Sequence, residues 1–209
     1  MINQENVLRV DILSCYLDLD GEEIVKEISS QGKVVPAPSK IEEEKIDPGH
    51  RLRVARFSED RNIILPATHL MAKTQKLFND TASEILHRKY RINAMWGLTL
   101  EEGQSLSQHS HLADWHTHRN EYYSLVYYPT ASTKDAQLVF KIPYGNGLEA
   151  QHVIEPSAGK MYLFQSWMEH HTTRQPVGSG TRTVISANLE PIHPHPSSRE
   201  VVQSMHATS

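Results

Sequence analysis

Cysteine is almost missing from this chain. Its one thiol in 209 residues, Cys15, cannot close an intrachain disulfide or build a zinc-thiolate cluster. Nothing therefore directs the protein to an oxidising compartment, and a cytoplasmic address is the expectation. No uninterrupted apolar run reaches the roughly 18 residues needed to span a bilayer. The segment Met1 to Val10 lacks the basic start and apolar core of a signal peptide. Positive charge is not in excess either, with 21 Lys and Arg against 25 Asp and Glu for a formal net charge of -4. That balance offers no broad basic surface, so neither nucleic acid nor membrane is expected as a partner. Phe and Trp are also sparse, at four and three residues, whereas histidine reaches 13. The histidines cluster: His109, His111, His116 and His118 fall within ten positions, and His170 and His171 are adjacent.

The length and the 38% hydrophobic content suit a single domain over residues 1–209. Val7 to Leu19 mixes β-branched and aromatic residues in rough alternation, which predicts a strand. Asp20-Gly21 marks a turn, and Glu22 to Ser29 reads as a short helix. From Ser30 to Pro48, prolines surround the acidic run Glu42-Glu43-Glu44, which predicts an exposed connection. Leu70, Met71, Thr74, Leu77, Phe78, Ala82, Ile85 and Leu86 recur at three- and four-residue spacing, predicting an amphipathic helix between about Pro66 and Arg88.

After Tyr90 the pattern changes to short strand-like runs. These are Tyr90 to Leu100, Tyr122 to Tyr128, Ala136 to Ile142, His152 to Ile154, Lys160 to Phe164 and Thr181 to Leu189, separated by Gly-, Pro- and Ser-rich turns. The fold class this predicts is mainly β with flanking helices. A jelly-roll core over 90–190 follows a helical, supporting front over 1–89, and 191–209 is an extended tail.

His-x-His on a strand aims two imidazoles at one point, because residues i and i+2 share a face. Two such pairs occur, His109/His111 and His116/His118. Neutral imidazole is the commonest protein ligand for divalent transition metals. A third ligand must come from a distant strand, and His170 or His171 is the available source. Arg182 opens the strand-like stretch TRTVISANL across a Gly178-Ser179-Gly180 turn from His170. On two neighbouring antiparallel strands, His170 and Arg182 would face one barrel interior. A guanidinium fork there suits a carboxylate, so a small diacid could bind the metal at one end and the arginine at the other. A salt bridge to an internal Asp or Glu is the competing reading.

These residues resemble the 2-oxoglutarate- and Fe(II)-dependent oxygenases, in particular a bacterial and phage branch with prolyl-hydroxylase-like relatives. That branch carries H-x-H-P-x-x-x-L-S-G-V-Y-Y, against which His116-Thr117-His118 through Ser124, Val126, Tyr127 and Tyr128 aligns without a gap. It also carries G-x-x-x-x-F-P-S, then a His six residues after the Phe, then R-x-x-x-x-x-N. Gly159, Phe164, Ser166, His170, Arg182 and Asn188 fall on those positions. Arg119, Leu125 and Gln165 depart from the pattern. The resemblance spans about residues 90–190. It implies a double-stranded β-helix core, cupin-like in shape, with His116, His118 and His170 as metal ligands.

The prolyl-hydroxylase-like pattern, with Gly six residues before the first ligand, instead fits Gly103 and His109. It leaves His109 and His111 as the alternative register. The usual facial triad contains one carboxylate, which Asp114 or Glu121 could supply, and three neutral imidazoles would also suit zinc.

The implied activity is that of a dioxygenase consuming O2 and 2-oxoglutarate at Fe(II), releasing succinate and CO2 while hydroxylating a C–H bond. Arg182 and Tyr128 would hold the cosubstrate's distal carboxylate, and Trp115, Tyr122 and Tyr123 would line a substrate mouth. The substrate, a small molecule or a peptide, is not specified, and a homodimer is compatible with the sequence. The alternative function is a cupin-like Zn- or Mn-binding protein or isomerase without 2-oxoglutarate. Gly103, His109 and His111 fit the first cupin motif, but residues 160–166 hold no His for the second.

Overall fold

The computed structural model describes residues 10–31, 33–36, 51–58, 68–111, 121–145 and 148–193. Among these residues ten strands and two helices run in the order β1 (Ile12–Tyr16), α1 (Gly21–Gln31), β2 (Lys33–Pro36), β3 (Arg51–Ser58), α2 (His69–Ile85), β4 (Tyr90–Leu100), β5 (Tyr123–Tyr127), β6 (Leu138–Gly145), β7 (Leu148–Ile154), β8 (Lys160–Gln165), β9 (His170–Thr172) and β10 (Arg182–Pro191). A seven-stranded sheet has the order β1-β8-β5-β10-β4-β3-β2, and a three-stranded sheet has the order β7-β6-β9. Every pairing is antiparallel. Among the described residues no helix is long and apolar enough to cross a membrane.

The central strands of the large sheet are covered on both faces, so they read as nearly continuous apolar runs rather than alternating ones. In β8, Met161 and Leu163 join the helix-side core while Tyr162 and Phe164 point into the space between the sheets. β4, β5 and β10 divide in the same way. Ile24 and Ile28 of α1, with Met71, Phe78 and Ala82 of α2, fill the helix side. Leu138, Phe140 and Ile154 of the small sheet close the interior against Leu98, Val126, Phe164 and Val184. The result is three layers: helices, large sheet, small sheet. Function sits between the two sheets.

Local signals explain both helix starts. Asp20 caps α1, its Oδ1 accepting from the Glu23 amide at 3.0 Å, and Thr68 caps α2 through Met71. Gly21 is required by close approach, because a Cβ there would lie 1.9 Å from the Pro129 carbonyl oxygen.

Several sequence expectations need correction. The strand expected between Val7 and Leu19 is present as β1, but the connection expected from Ser30 to Pro48 contains β2, and the front half adds β2 and β3 to the large sheet besides its helices. β3, in which Leu52, Val54 and Phe57 are interleaved with Arg51, Arg53 and Arg56, was not singled out in the sequence, and the three-residue β9, His-His-Thr, has no apolar residue to mark it. His170 and Arg182 do not lie on adjacent strands: β9 belongs to the small sheet and β10 to the large one. They face the same interior from opposite walls.

Candidate metal centre

The connection after β4 runs back along the small sheet and carries His109 and His111. His109 and His170 exchange backbone hydrogen bonds of 3.0 and 2.9 Å, forming an isolated antiparallel bridge beside β9. The His111 amide donates to the Ser166 carbonyl at 3.0 Å, and Leu106 is tied to Thr172 through both its amide and its carbonyl. This short ladder brings residues 55 and more positions apart into contact. His109, His111 and His170 each offer one ring nitrogen, and these three atoms lie within 4.8 Å of one another.

The tautomers follow from the hydrogen bonds. His170 Nδ1 lies 2.9 Å from the Met168 carbonyl, and His109 Nδ1 lies 2.8 Å from the Ser107 carbonyl. A carbonyl only accepts, so each Nδ1 carries the proton and each Nε2 keeps its lone pair, the orientation that a carbonyl partner gives a metal-binding histidine. His111 Nε2 stands 3.2 Å from His170 Nε2. Ligands at right angles on bonds of about 2.1 Å would be roughly 3 Å apart. The donor set therefore fits a divalent transition ion, and His109, His111 and His170 are placed to bind one. Phe164 and Phe140 pack against the His170 ring at centroid distances of 5.0 and 5.7 Å, and Trp96 packs against His111 at 5.5 Å.

Burial decides the charge of these rings. It holds His111 well below the ordinary imidazole range, with His170 and His109 adding to the effect. Burial, then His109, brings His170 down to about 3 although its bond to the Met168 carbonyl opposes the shift. His111 and His170 are thus neutral at physiological pH and ready to donate lone pairs. In the unfolded chain the same imidazoles titrate near 6.5. Between that value and about 3 the unfolded state binds more protons than the folded one. Stability is accordingly full above about pH 6.5 and is lost as the pH falls. The metal-free protein should show a melting temperature that declines steadily from pH 7 to pH 4, and a flat profile would mean that these rings are not desolvated.

The adjacent His171 points to the other face of β9, opposite Val139 in the register, and does not join the cluster. His116, His118, Asp114 and Trp115 lie outside the described residues. Glu121 is not a ligand here: its carboxylate accepts from Arg88 at 3.0 Å and lies near His193. Tyr123 does not line the site, because it packs into the helix-side core against Tyr90. Tyr122 is half-buried at the start of β5.

Arg182 lies inside the barrel, 2% exposed. Its Nη2 donates to the Tyr128 hydroxyl at 2.9 Å, and its Nε is buried with no hydrogen-bond partner. No described carboxylate pairs with it. The buried acid Asp135 is committed elsewhere, accepting from Gln175 Nε2 at 2.9 Å and from the Ser132 amide at 2.7 Å. The internal salt bridge considered from sequence is therefore absent among the described residues. Burial pushes the Tyr128 phenol up although Arg182 opposes it, so the phenol stays neutral. Having accepted from Arg182, it keeps its own proton to donate. An unpaired guanidinium edge beside a free hydroxyl proton is a receptor for a carboxylate.

No protein-family model matches the chain, and no curated protein matches it in sequence. Solved structures do match. An oxidoreductase of the 2OG-Fe(II) oxygenase family from Burkholderia pseudomallei superposes with TM-score 0.60 at 14% identity, over 87% of this chain and 85% of that one. A Pseudomonas putida prolyl-4-hydroxylase gives TM-score 0.58 at 12% identity, over 87% and 93%. The fold is that of the 2-oxoglutarate and Fe(II) oxygenases. A non-heme alpha-ketoglutarate-dependent epimerase from nogalamycin biosynthesis gives TM-score 0.66 at 10% identity, over 88% and 78%. The double-stranded β-helix expected from the sequence is thus observed, and its interior is where the three histidines and Arg182 converge.

Proposed function

We propose that the protein is an Fe(II)- and 2-oxoglutarate-dependent dioxygenase that hydroxylates a C–H bond of a small-molecule or peptide substrate. The observation that carries this reading is the buried Arg182, its Nε unpaired, in the same interior as the three clustered imidazoles. A metal site alone would suit the cupin-like alternative. That alternative gives a buried, unpaired guanidinium no task, and leaving one uncompensated is costly. A five-carbon 2-oxo diacid uses both features, one carboxylate on Arg182 and Tyr128, and its keto acid end on the ion.

When bound, Fe(II) with the 2-oxo acid and O2 supplies the oxidation, releasing succinate and CO2. The chain's own residues bind, orient and exclude water. His109, His111 and His170 would hold the ion on one side, their Nδ1–H bonds to Ser107 and Met168 fixing two of the rings. Phe140, Phe164 and Trp96 would wall off solvent. Arg182 and Tyr128 would orient the diacid by its far end.

Anaerobic addition of Fe(II) and then 2-oxoglutarate to the metal-free protein is expected to give a weak visible charge-transfer band. Admission of air is expected to give succinate even without substrate. Zinc bound tightly, with neither band nor succinate, would overturn the proposal in favour of the cupin-like alternative.

A further inference from the structure

The two ends of the large sheet differ in kind. β2 carries Lys33 and Pro36, and charge and proline blunt an edge against further pairing. β1, at the opposite end, reads Ile-Leu-Ser-Cys-Tyr, with no charge, proline or glycine. Half of its backbone is unspent. The Leu17 amide donates to the Gly159 carbonyl at 2.8 Å, which sets the phase of the ladder: Leu13, Cys15 and Leu17 turn their amides and carbonyls toward β8. Lys160 agrees with that phase, because its carbonyl, level with Tyr16, is taken on the far side by the Tyr128 amide at 3.0 Å. Ile12, Ser14 and Tyr16 therefore point theirs outward, where no described residue bonds to them.

Side chains at this edge are exposed as well. Tyr16 is 67% exposed, and so is 46% of Val153 on β7, the free edge of the small sheet. Tyr16 is nonetheless held in place, its hydroxyl 3.2 Å from Ser157 Oγ and its ring 5.5 Å from the Lys160 ammonium. Between β1 and β7 lies a groove of about 550 Å³ lined by Ile12, Ser14, Val153, Ile154 and Tyr162.

The strand is its own complement. Across a new antiparallel seam, outward-facing residues stand opposite outward-facing residues. The register that overlaps all of β1 with a second β1 sets Ser14 against the partner's Ser14. Ile12 then meets the partner's Tyr16, a β-branched and aromatic pair that the twofold repeats, and the two Ser14 hydroxyls come within reach of each other. On the other face Leu13 meets the partner's Cys15. No charge on the strand selects a foreign peptide, whereas its own symmetry gives each side chain a suitable neighbour.

We propose that β1 is the seam of a homodimer, in which two large sheets join edge to edge about a twofold axis at Ser14. About six backbone hydrogen bonds close the seam. The axis stands normal to the sheet, so the small sheets stay on one side and the two grooves lie next to each other. A seam of five residues falls short of the about 800 Å² per partner of a stable complex, and Asp11 and Asp18 border it in both copies. The dimer is accordingly a micromolar one. This pairing does not depend on the dioxygenase reading.

Sedimentation of the full chain between roughly 1 and 100 μM should show a monomer–dimer equilibrium. Ser14→Pro deletes an amide hydrogen that β8 does not use, so the variant should keep its native circular dichroism and weaken dimerisation at least about tenfold. Should Ser14→Pro unfold, Tyr16→Lys, made at an exposed side chain, carries the same expectation. Ser14→Cys, with Cys15→Ser to remove the native thiol, should oxidise to an interchain disulfide, since the paired Cα atoms would be about 5.5 Å apart. Asp80→Cys in the same background, exposed on α2, is the control. A parent that stays monomeric to 100 μM would overturn the inference. A dimer left unchanged by a folded Ser14→Pro or Tyr16→Lys would overturn it too, as would a folded Ser14→Cys variant that crosslinks no faster than the control.

Discussion

His170→Ala should leave the protein folded but unable to retain a metal ion. Removing an outer-shell partner of a metal ligand typically costs 10- to 100-fold in affinity, so loss of a ligand should cost more than about a hundredfold. Elemental analysis after dialysis against Fe(II) or Ni(II) should find the variant empty where the parent holds about one ion, and succinate formation should fall to background. His171→Ala is the matched control, since its ring lies on the other face of the same strand. The same measurement fixes the register of the first pair: His111→Ala should lose the ion and His118→Ala should keep it. Retention by His111→Ala would remove that ring from the ligand set.

Arg182→Gln should raise the 2-oxoglutarate concentration required for half-maximal succinate formation by about a hundredfold, because hydrogen bonds to a charged group contribute about 1.5–3 kcal/mol each. Tyr128→Phe should raise it less, since it removes one neutral donor. A second readout tells a carboxylate receptor from a structural salt bridge. The guanidinium is buried without a carboxylate in the described structure, so removing its charge should leave the melting temperature of the ligand-free protein unchanged or higher. Breaking a buried ion pair would lower it. An unchanged cosubstrate requirement together with a lowered melting temperature would make the arginine a scaffold residue.

Much of the architecture could be read from local pattern. α2 follows the spacing of Met71, Thr74, Phe78 and Ala82, which are its buried face, and β4, β5, β8 and β10 follow dense β-branched and aromatic runs. The elements that escaped reading owe little to their own sequence. β9 is three residues long and exists because β6 pairs with it.

The site shows the same division. Arg182 was legible because a cation opens an otherwise apolar strand, whereas His170 and Tyr128 were named from the spacing of the family pattern. The choice between His109/His111 and His116/His118 was not legible, because both pairs satisfy the same two-residue period. The backbone bridge that joins His109 to His170 is supplied by the tertiary structure alone, and His116 and His118 lie outside the described residues.

Two of the three ligands ride on a segment fastened to the barrel by a few backbone bonds, the reciprocal pair between His109 and His170 foremost among them. An ion spanning that seam would rivet it. Capture of the cation and docking of the segment then become one equilibrium, and the free energy of each is added to the other. Supply of the ion would then set how long the molecule survives proteases as well as whether the site is loaded.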